Sequence, residues 1–133
     1  MTKPLLEKSK QSMLIAETLI KQNHYSATVN RAYYSCFQFI LHILIEKLGH
    51  TYEKIREMPR DGIHSQAQYL LELTLVQKVG SDKRDYKWFQ EKLPAFKHER
   101  VIADYYGDVL DQDRGYTAIQ TANSIMNTLK KYY

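Results

Sequence analysis

The sequence predicts an all-α protein, an antiparallel up-and-down bundle of about five helices. Large apolar residues recur every three or four positions along most of the chain, which is the period of an amphipathic helix. No stretch alternates with the two-residue period of a strand over any length. The 133 residues fit a single domain, residues 1–133, and the absence of any low-complexity run argues against a disordered chain.

The first predicted helix covers residues 4–22, where apolar side chains alternate with lysines at helical spacing. The second, residues 24–48, is the most apolar segment of the chain, and Gly49 marks a stop just past its end. Residues 50–62 are expected to form a loop with room for a helical turn. Pro59 and the Asp61-Gly62 pair are the turn formers that predict this loop.

The third predicted helix, residues 63–78, opens with His64, a position where a histidine is usually a surface or capping residue. Ser81 or Asp82 is expected to cap the fourth helix, residues 83–104. Proline removes a backbone donor, so Pro94 is expected to kink this helix or divide it into two pieces. The fifth helix, residues 114–132, turns one apolar stripe inward: Ile119, Ala122, Ile125, Met126 and Leu129.

Charge and cysteine content limit the cellular setting. The net charge of +4 permits a polyanionic partner such as RNA or a nucleotide, although the basic residues are scattered. The single cysteine, Cys36, excludes an internal disulfide, suits a reducing compartment and is expected to be a buried thiol. No signal peptide or run long enough to cross a bilayer is present, so we expect a cytoplasmic protein without membrane contact.

Several polar residues interrupt the apolar stripes. Arg100 falls where the stripe of Phe89, Leu93 and Phe96 predicts another apolar residue. Asp104 lies four residues further on, where it can pair with Arg100 on one helix face. A polar strip also follows the second predicted helix, with members at steps of three and four: Arg31, Tyr34, Gln38 and His42.

A cation inside a bundle is costly unless it is paired, which leaves two interpretations of these residues. One is a buried salt bridge with tyrosine hydrogen bonds that fixes helix register. The other is a guanidinium that grips a phosphate bidentately. The five histidines show no metal-ligand spacing and no glycine-rich phosphate loop is present, so no metal or cofactor is expected. The candidate ligand-binding residues are Arg31, Tyr34, Arg100, Asp104 and Tyr105.

Three segments together resemble the HEPN family of small helical proteins. They read YSATVNRAYYSCFQFILHILIEKLG, IHSQAQYLLEL and RVIADYYGDVL, and the likeness runs from residue 5 to residue 131. The last segment is similar to the branch with an Arg-x-x-Ala-Asp-Tyr motif, here formed by Arg100, Ala103, Asp104 and Tyr105. The resemblance implies a bundle that dimerises with its motif helices face to face. It also implies a minimal nucleotidyltransferase as partner, often in a toxin–antitoxin pair.

Many members of that family are ribonucleases that use an arginine and a histidine separated by four to six residues. In this chain the residues at positions four to seven after Arg100 are Asp104, Tyr105, Tyr106 and Gly107, none of which is a histidine. Arg60 and His64 are the nearest approach to the pattern, with three residues between them. Ribonuclease activity by the usual route is therefore not expected.

Three functions follow from the sequence. The first is a HEPN-like homodimer without ribonuclease activity that binds a nucleotide, an RNA phosphate or a partner nucleotidyltransferase. The second is a metal-independent endoribonuclease toxin with Arg100 and either Tyr105 or His98 as its catalytic residues. The third is a structural scaffold in which the Arg-Asp-Tyr cluster fixes helix register.

Overall fold

A computed structural model describes residues 3–57, 62–106 and 110–133; Pro59 and Asp61, two of the turn formers named above, lie outside these ranges. The described residues form no strand, and the all-α prediction is confirmed. A π-helical turn, Ile43–Lys47, continues the second helix. The α-helices within the described ranges are α1 Pro4–Lys21, α2 Tyr25–His42, α3 Tyr52–Glu57, α4 Ile63–Lys78, α5 Arg84–Tyr105 and α6 Gln112–Lys130.

Helix α2 is the centre of the bundle and packs against α1, α4, α5 and α6. Its apolar residues Val29, Ala32, Cys36 and Ile40 are completely buried. The prediction of a buried thiol is confirmed, and burial raises the pKa of Cys36. Because α2 is surrounded on several sides, it presents different polar side chains to different neighbouring helices.

Local chemistry explains where several helices begin and end. Pro4 occupies the first turn of α1, where its missing N–H costs nothing. Gly49 has a positive φ of 77° and ends the π-helical turn, as predicted. The N-cap residue of α5 is Lys83 and not Ser81 or Asp82 as predicted, although the Asp82 carboxylate accepts a 3.1 Å hydrogen bond from the backbone N–H of Arg84.

Another expectation about helix boundaries needs correction. Pro94 does not divide its segment, since α5 is one continuous helix from Arg84 to Tyr105. Because Pro94 has no N–H, the backbone carbonyl of Gln90 has no partner within the helix. Both residues are exposed, so water can donate to that carbonyl. The region after Gly49 contains the helical turn that the sequence allowed, the six-residue helix α3, whose residue Ile55 is completely buried against the core.

None of the helices in the described part of the chain combines the length and the apolar character that crossing a bilayer requires.

Candidate functional site

The candidate site, here called the Arg100 cluster, lies where α2, α4 and α5 meet. Its centre is Arg100, which is only 8% exposed. It continues the buried stripe of α5 that Phe89, Leu93 and Phe96 begin, as the sequence predicted. The members of the cluster are Asn30, Arg31, Tyr33, Tyr34, His64, Arg100 and Asp104.

The contacts of the Arg100 guanidinium are few for a buried cation. One terminal nitrogen donates to an Asp104 carboxylate oxygen at 3.3 Å, which is the predicted pairing along the helix. The central guanidinium carbon lies 5.5 Å from the ring centroid of Tyr33 and 5.6 Å from that of Tyr34. The Arg100 Nε is buried and has no hydrogen-bond partner within the described residues. The aromatic rings therefore hold the guanidinium in place without accepting its hydrogen bonds in the way a carboxylate would. The Nε–H donor remains without a partner among the described residues.

Asp104 is shared between two helices. Its two carboxylate oxygens each accept a 3.1 Å hydrogen bond from the Asn30 side-chain amide of α2. The Asn30 side-chain oxygen Oδ1 in turn accepts a 2.9 Å hydrogen bond from Arg31 Nε, and the Arg31 guanidinium lies 5.4 Å from the Tyr34 ring centroid. Arg31 is thus linked to Asp104 through Asn30. The Asp104 carboxylate divides its hydrogen bonds between Asn30 and Arg100.

A histidine and a tyrosine complete the cluster on its α4 side. His64 Nδ1 and the Tyr33 hydroxyl are joined by a 2.8 Å hydrogen bond, and the imidazole lies 4.2 Å from the Phe37 ring centroid. Burial, and then the positive charges of Lys97 and Arg100, lower the pKa of His64 from 6.5 to about 4. Burial also raises the pKa of Tyr33. Both side chains are therefore neutral at physiological pH.

The structure brings four of the five predicted ligand-binding residues together, namely Arg31, Tyr34, Arg100 and Asp104. The fifth, Tyr105, is the last residue of α5 and is 75% exposed. The catalytic candidate His98 is also exposed. It lies two residues before Arg100, about 200° away around the helix, so the two side chains point in different directions.

The polar strip predicted along α2 divides between two environments. Tyr34 contacts Arg100 of α5 and Arg31 lies against the Tyr34 ring, whereas the Gln38 amide is joined to the Ser12 hydroxyl of α1 by a 2.7 Å hydrogen bond. His42 is buried at 3% exposure beside a cavity formed with α1 and α6. Gln38 and His42 therefore do not belong to the Arg100 cluster.

Three members of the cluster were not predicted: Asn30, Tyr33 and His64. His64 was expected to be a surface or capping residue, yet it lies three and seven residues before the buried Ala67 and Leu71, on the same face of α4. That spacing is the signal that would have found it. Asn30 and Tyr33 flank predicted residues, and only the packing of α2 against its neighbours distinguishes them.

Within residues 3–57, 62–106 and 110–133, no group of three or more His, Cys, Asp or Glu side chains could hold a metal ion. The cluster can instead offer guanidinium and amide donors to an anion, with tyrosine rings beside it. A scan against protein-family models finds no matching family, and a search of curated proteins finds no match.

Proposed function

We propose that this chain is a HEPN-like protein that binds a phosphate group of a nucleotide or RNA at the Arg100 cluster and does not cleave it. The observation that carries the proposal is the buried Arg100 guanidinium, held by one 3.3 Å ion pair and two aromatic rings. In this function Arg100 contacts the phosphate, Asp104 orients the guanidinium, and Tyr34 provides a hydroxyl or an aromatic face.

Energetics favours an anion at this position. A charge-assisted N–H···O bond is typically ~2.7–2.9 Å long, so the single 3.3 Å contact to Asp104 is a weak one. Desolvating a cation costs several kcal/mol, which one shared carboxylate offsets poorly. A guanidinium carries five N–H donors in a planar fork that matches phosphate oxygens. A bound phosphate would supply an acceptor for the Arg100 donor that has no partner among the described residues.

The charge balance of the site supports the same ligand. Arg31 and Arg100 are cationic, Lys97 lies close enough to lower the pKa of His64, and Asp104 is the carboxylate shared between Asn30 and Arg100. His64 is neutral and does not add a further charge. The summed charge of these groups is positive, because three cations outnumber the one carboxylate, and a positive site attracts a nucleotide or RNA phosphate.

A metal-independent endoribonuclease is the second candidate function, and His64 is the observation that favours it. It supplies a neutral imidazole beside the arginine, although from a different helix than the family motif would use. A neutral imidazole can accept a proton from a ribose hydroxyl. Its pKa of about 4 makes it a weak base at neutral pH, however, and for that reason we place phosphate binding first.

The resemblance to HEPN proteins also supports three properties that we include in the proposal. The protein forms a homodimer, it pairs with a minimal nucleotidyltransferase as a toxin–antitoxin component, and it acts in the cytoplasm. The buried free thiol of Cys36 is compatible with a reducing compartment. Sedimentation of the purified protein over a range of concentrations tests the dimer, and affinity purification from cells tests the nucleotidyltransferase.

Binding of a fluorescein-labelled single-stranded RNA and of AMP, measured by anisotropy and calorimetry, tests the phosphate site. Arg100→Met keeps the length and apolar stem of the side chain and removes its donors. We expect it to weaken both ligands at least about tenfold, because a charged hydrogen-bonded pair contributes ~1.5–3 kcal/mol. The matched control is Arg84→Met on the same helix, whose side chain is 90% exposed.

The RNA from each titration is then run on a denaturing gel. Unaltered RNA with binding lost only in Arg100→Met supports the binding function. RNA cleaved by the parent and spared by both Arg100→Met and His64→Gln would replace it with the endoribonuclease. Equal binding by the parent, Arg84→Met and Arg100→Met would contradict both functions and leave the scaffold.

A further inference from the structure

A cavity with a polar rim lies apart from the proposed phosphate site. It has a volume of about 710 Å³ and lies between α1, α2 with its π-helical turn, and α6. None of its lining residues belongs to the Arg100 cluster. Pockets for small ligands typically enclose ~300–1,000 Å³, so this cavity has the size of a ligand site.

The walls of the cavity are mainly apolar. Leu6 and Met13 of α1 face Phe39 of α2 and Met126 of α6 across it. Methionine side chains are flexible and polarizable, so they adapt to a chain of variable length. Leu14, which also lines the cavity, is 63% exposed. Such a surface gains free energy when an apolar chain displaces water from it.

The rim of the cavity is basic. Lys10, Lys47 and Lys130 line it, and none of the described lining residues is acidic. Lys130 Nζ lies 5.6 Å from the ring centroid of Phe39, which places its charge directly at an apolar wall. Lys47 Nζ donates a 2.7 Å hydrogen bond to the Tyr133 backbone oxygen, whereas Lys10 Nζ makes only an exposed 4.0 Å ion pair with Glu7. Lys10 and Lys130 are therefore the lysines more available to a ligand.

One buried polar group also adjoins the cavity. His42 lines it at 3% exposure, and its Nδ1 finds no hydrogen-bond partner among the residues that the structure describes. Burial, and then Lys3 and Lys47, lower its pKa, so the imidazole is neutral at physiological pH. Apolar walls with a few polar groups and a charged rim suit an amphiphilic ligand, which has an apolar part and a charged part.

We propose that this cavity binds a single-chain anionic amphiphile, an acyl chain that ends in a carboxylate. The chain lies between Met13, Phe39 and Met126, and the carboxylate lies at the rim beside Lys10 and Lys130. The cavity is favoured over a flat protein-docking surface because it is concave and sized for a small ligand. The proposal is independent of the phosphate site, since the two share no residue.

The test is calorimetric titration with sodium dodecanoate below its micelle concentration. Dodecyl maltoside has the same chain with a neutral head, and acetate has the head without the chain. We expect saturable binding of dodecanoate, weaker binding of dodecyl maltoside and none of acetate. Lys10→Gln and Lys130→Gln should each weaken dodecanoate about two- to fivefold, as expected for an exposed charge pair, and leave dodecyl maltoside unchanged. Lys87→Gln, an exposed lysine of α5, is the matched control.

Asn123→Trp supplies a second, structural test. Asn123 is an exposed residue of α6 that lines the cavity, so an indole there should block the mouth without disturbing the core. It should weaken both amphiphiles at least about tenfold, whereas Arg100→Met should leave them unchanged. No saturable binding, or binding that ignores head group, lysines and Asn123 alike, would overturn the proposal. A dimer that Asn123→Trp dissociates, without dodecanoate binding to either protein, would overturn it in favour of a second copy as the occupant.

Discussion

Helix α2 carries buried polar groups on two sides, and the two sides are built differently. Towards α1, Ser9 and Ser35 each donate to the other's backbone carbonyl, at 2.7 and 2.8 Å. Both serines are nearly completely buried, and Ser9 also lies 3.7 Å from the Met126 sulfur. Towards α5, Arg100 has one 3.3 Å ion pair and a buried Nε without a partner in the described ranges.

The difference separates polar groups whose hydrogen bonds are satisfied within the fold from a guanidinium that keeps an unpaired donor among the described residues. Small hydroxyls in reciprocal hydrogen bonds let α1 and α2 approach closely, and their hydrogen-bonding capacity is used within the crossing. A buried guanidinium with donors left over contributes little stability in return for its desolvation. The Ser9–Ser35 crossing should therefore govern stability, and the Arg100 cluster should govern binding.

The largest stability effect is expected at the crossing. Ser9→Leu inserts an apolar side chain where the helices touch and removes one hydroxyl, at a combined cost of about 2–4 kcal/mol. Urea unfolding measures the loss. Gln11→Leu, at an exposed position of α1, is the control and should change the unfolding free energy by less than ~0.5 kcal/mol. Equal effects at the two positions would remove the distinction between the two sides of α2.

The next effect is the pH dependence that His64 confers. Its pKa is about 4 in the folded chain and 6.5 when unperturbed. Between pH 4 and pH 6.5, His64 is therefore protonated in the unfolded chain and neutral in the folded chain. The unfolding free energy is therefore unaffected by His64 above pH 6.5 and falls as the pH drops towards 4. Because the imidazole is partly exposed, we discount the loss to about 1–2 kcal/mol.

Urea midpoints from pH 7.5 to pH 4 should show this fall in the parent and a smaller one in His64→Gln. His42, whose pKa is also lowered, remains in both proteins and cancels in the difference. Superimposable pH profiles would mean that His64 is not held neutral by the cluster.

Tyr33→Phe should have an intermediate effect. It removes the hydroxyl that lies 2.8 Å from His64 Nδ1 and keeps the ring against Arg100. The expected loss of unfolding free energy is about 0.5–1.5 kcal/mol, the net value of one hydrogen bond. RNA affinity should fall far less than in Arg100→Met. A loss as large as that of Arg100→Met would place Tyr33 itself in contact with the ligand.

The smallest stability effect is expected for Arg100→Met, although the residue is buried. Asp104 retains its two Asn30 contacts, and methionine fills the space beside the tyrosine rings, so the unfolding free energy should change by less than ~1 kcal/mol. Chemical denaturation of this variant beside the parent measures the change. A loss of ~3–5 kcal/mol would identify the cluster as the register lock of a scaffold.

The sequence predicted what depends on local spacing. Apolar periodicity located the long helices, and the four-residue spacing of Arg100 and Asp104 predicted their ion pair. The contact of Asn30 with Asp104 joins residues 74 positions apart, and that of Tyr33 with His64 joins residues 31 apart. Such contacts depend on how the helices pack, which no local pattern specifies. For the same reason, the outcome at Pro94 depended on which side of α5 meets solvent.

The central claim is that Arg100 has a hydrogen-bond donor reserved for an anion. The direct measurement is the ¹⁵N NMR signal of its Nε–H group, assigned by its disappearance in Arg100→Met and followed as AMP is added. We predict a saturable shift of this signal, while the signal of the exposed Arg84 stays in place. An Arg100 signal that does not move at AMP concentrations which saturate binding elsewhere on the protein would contradict the claim.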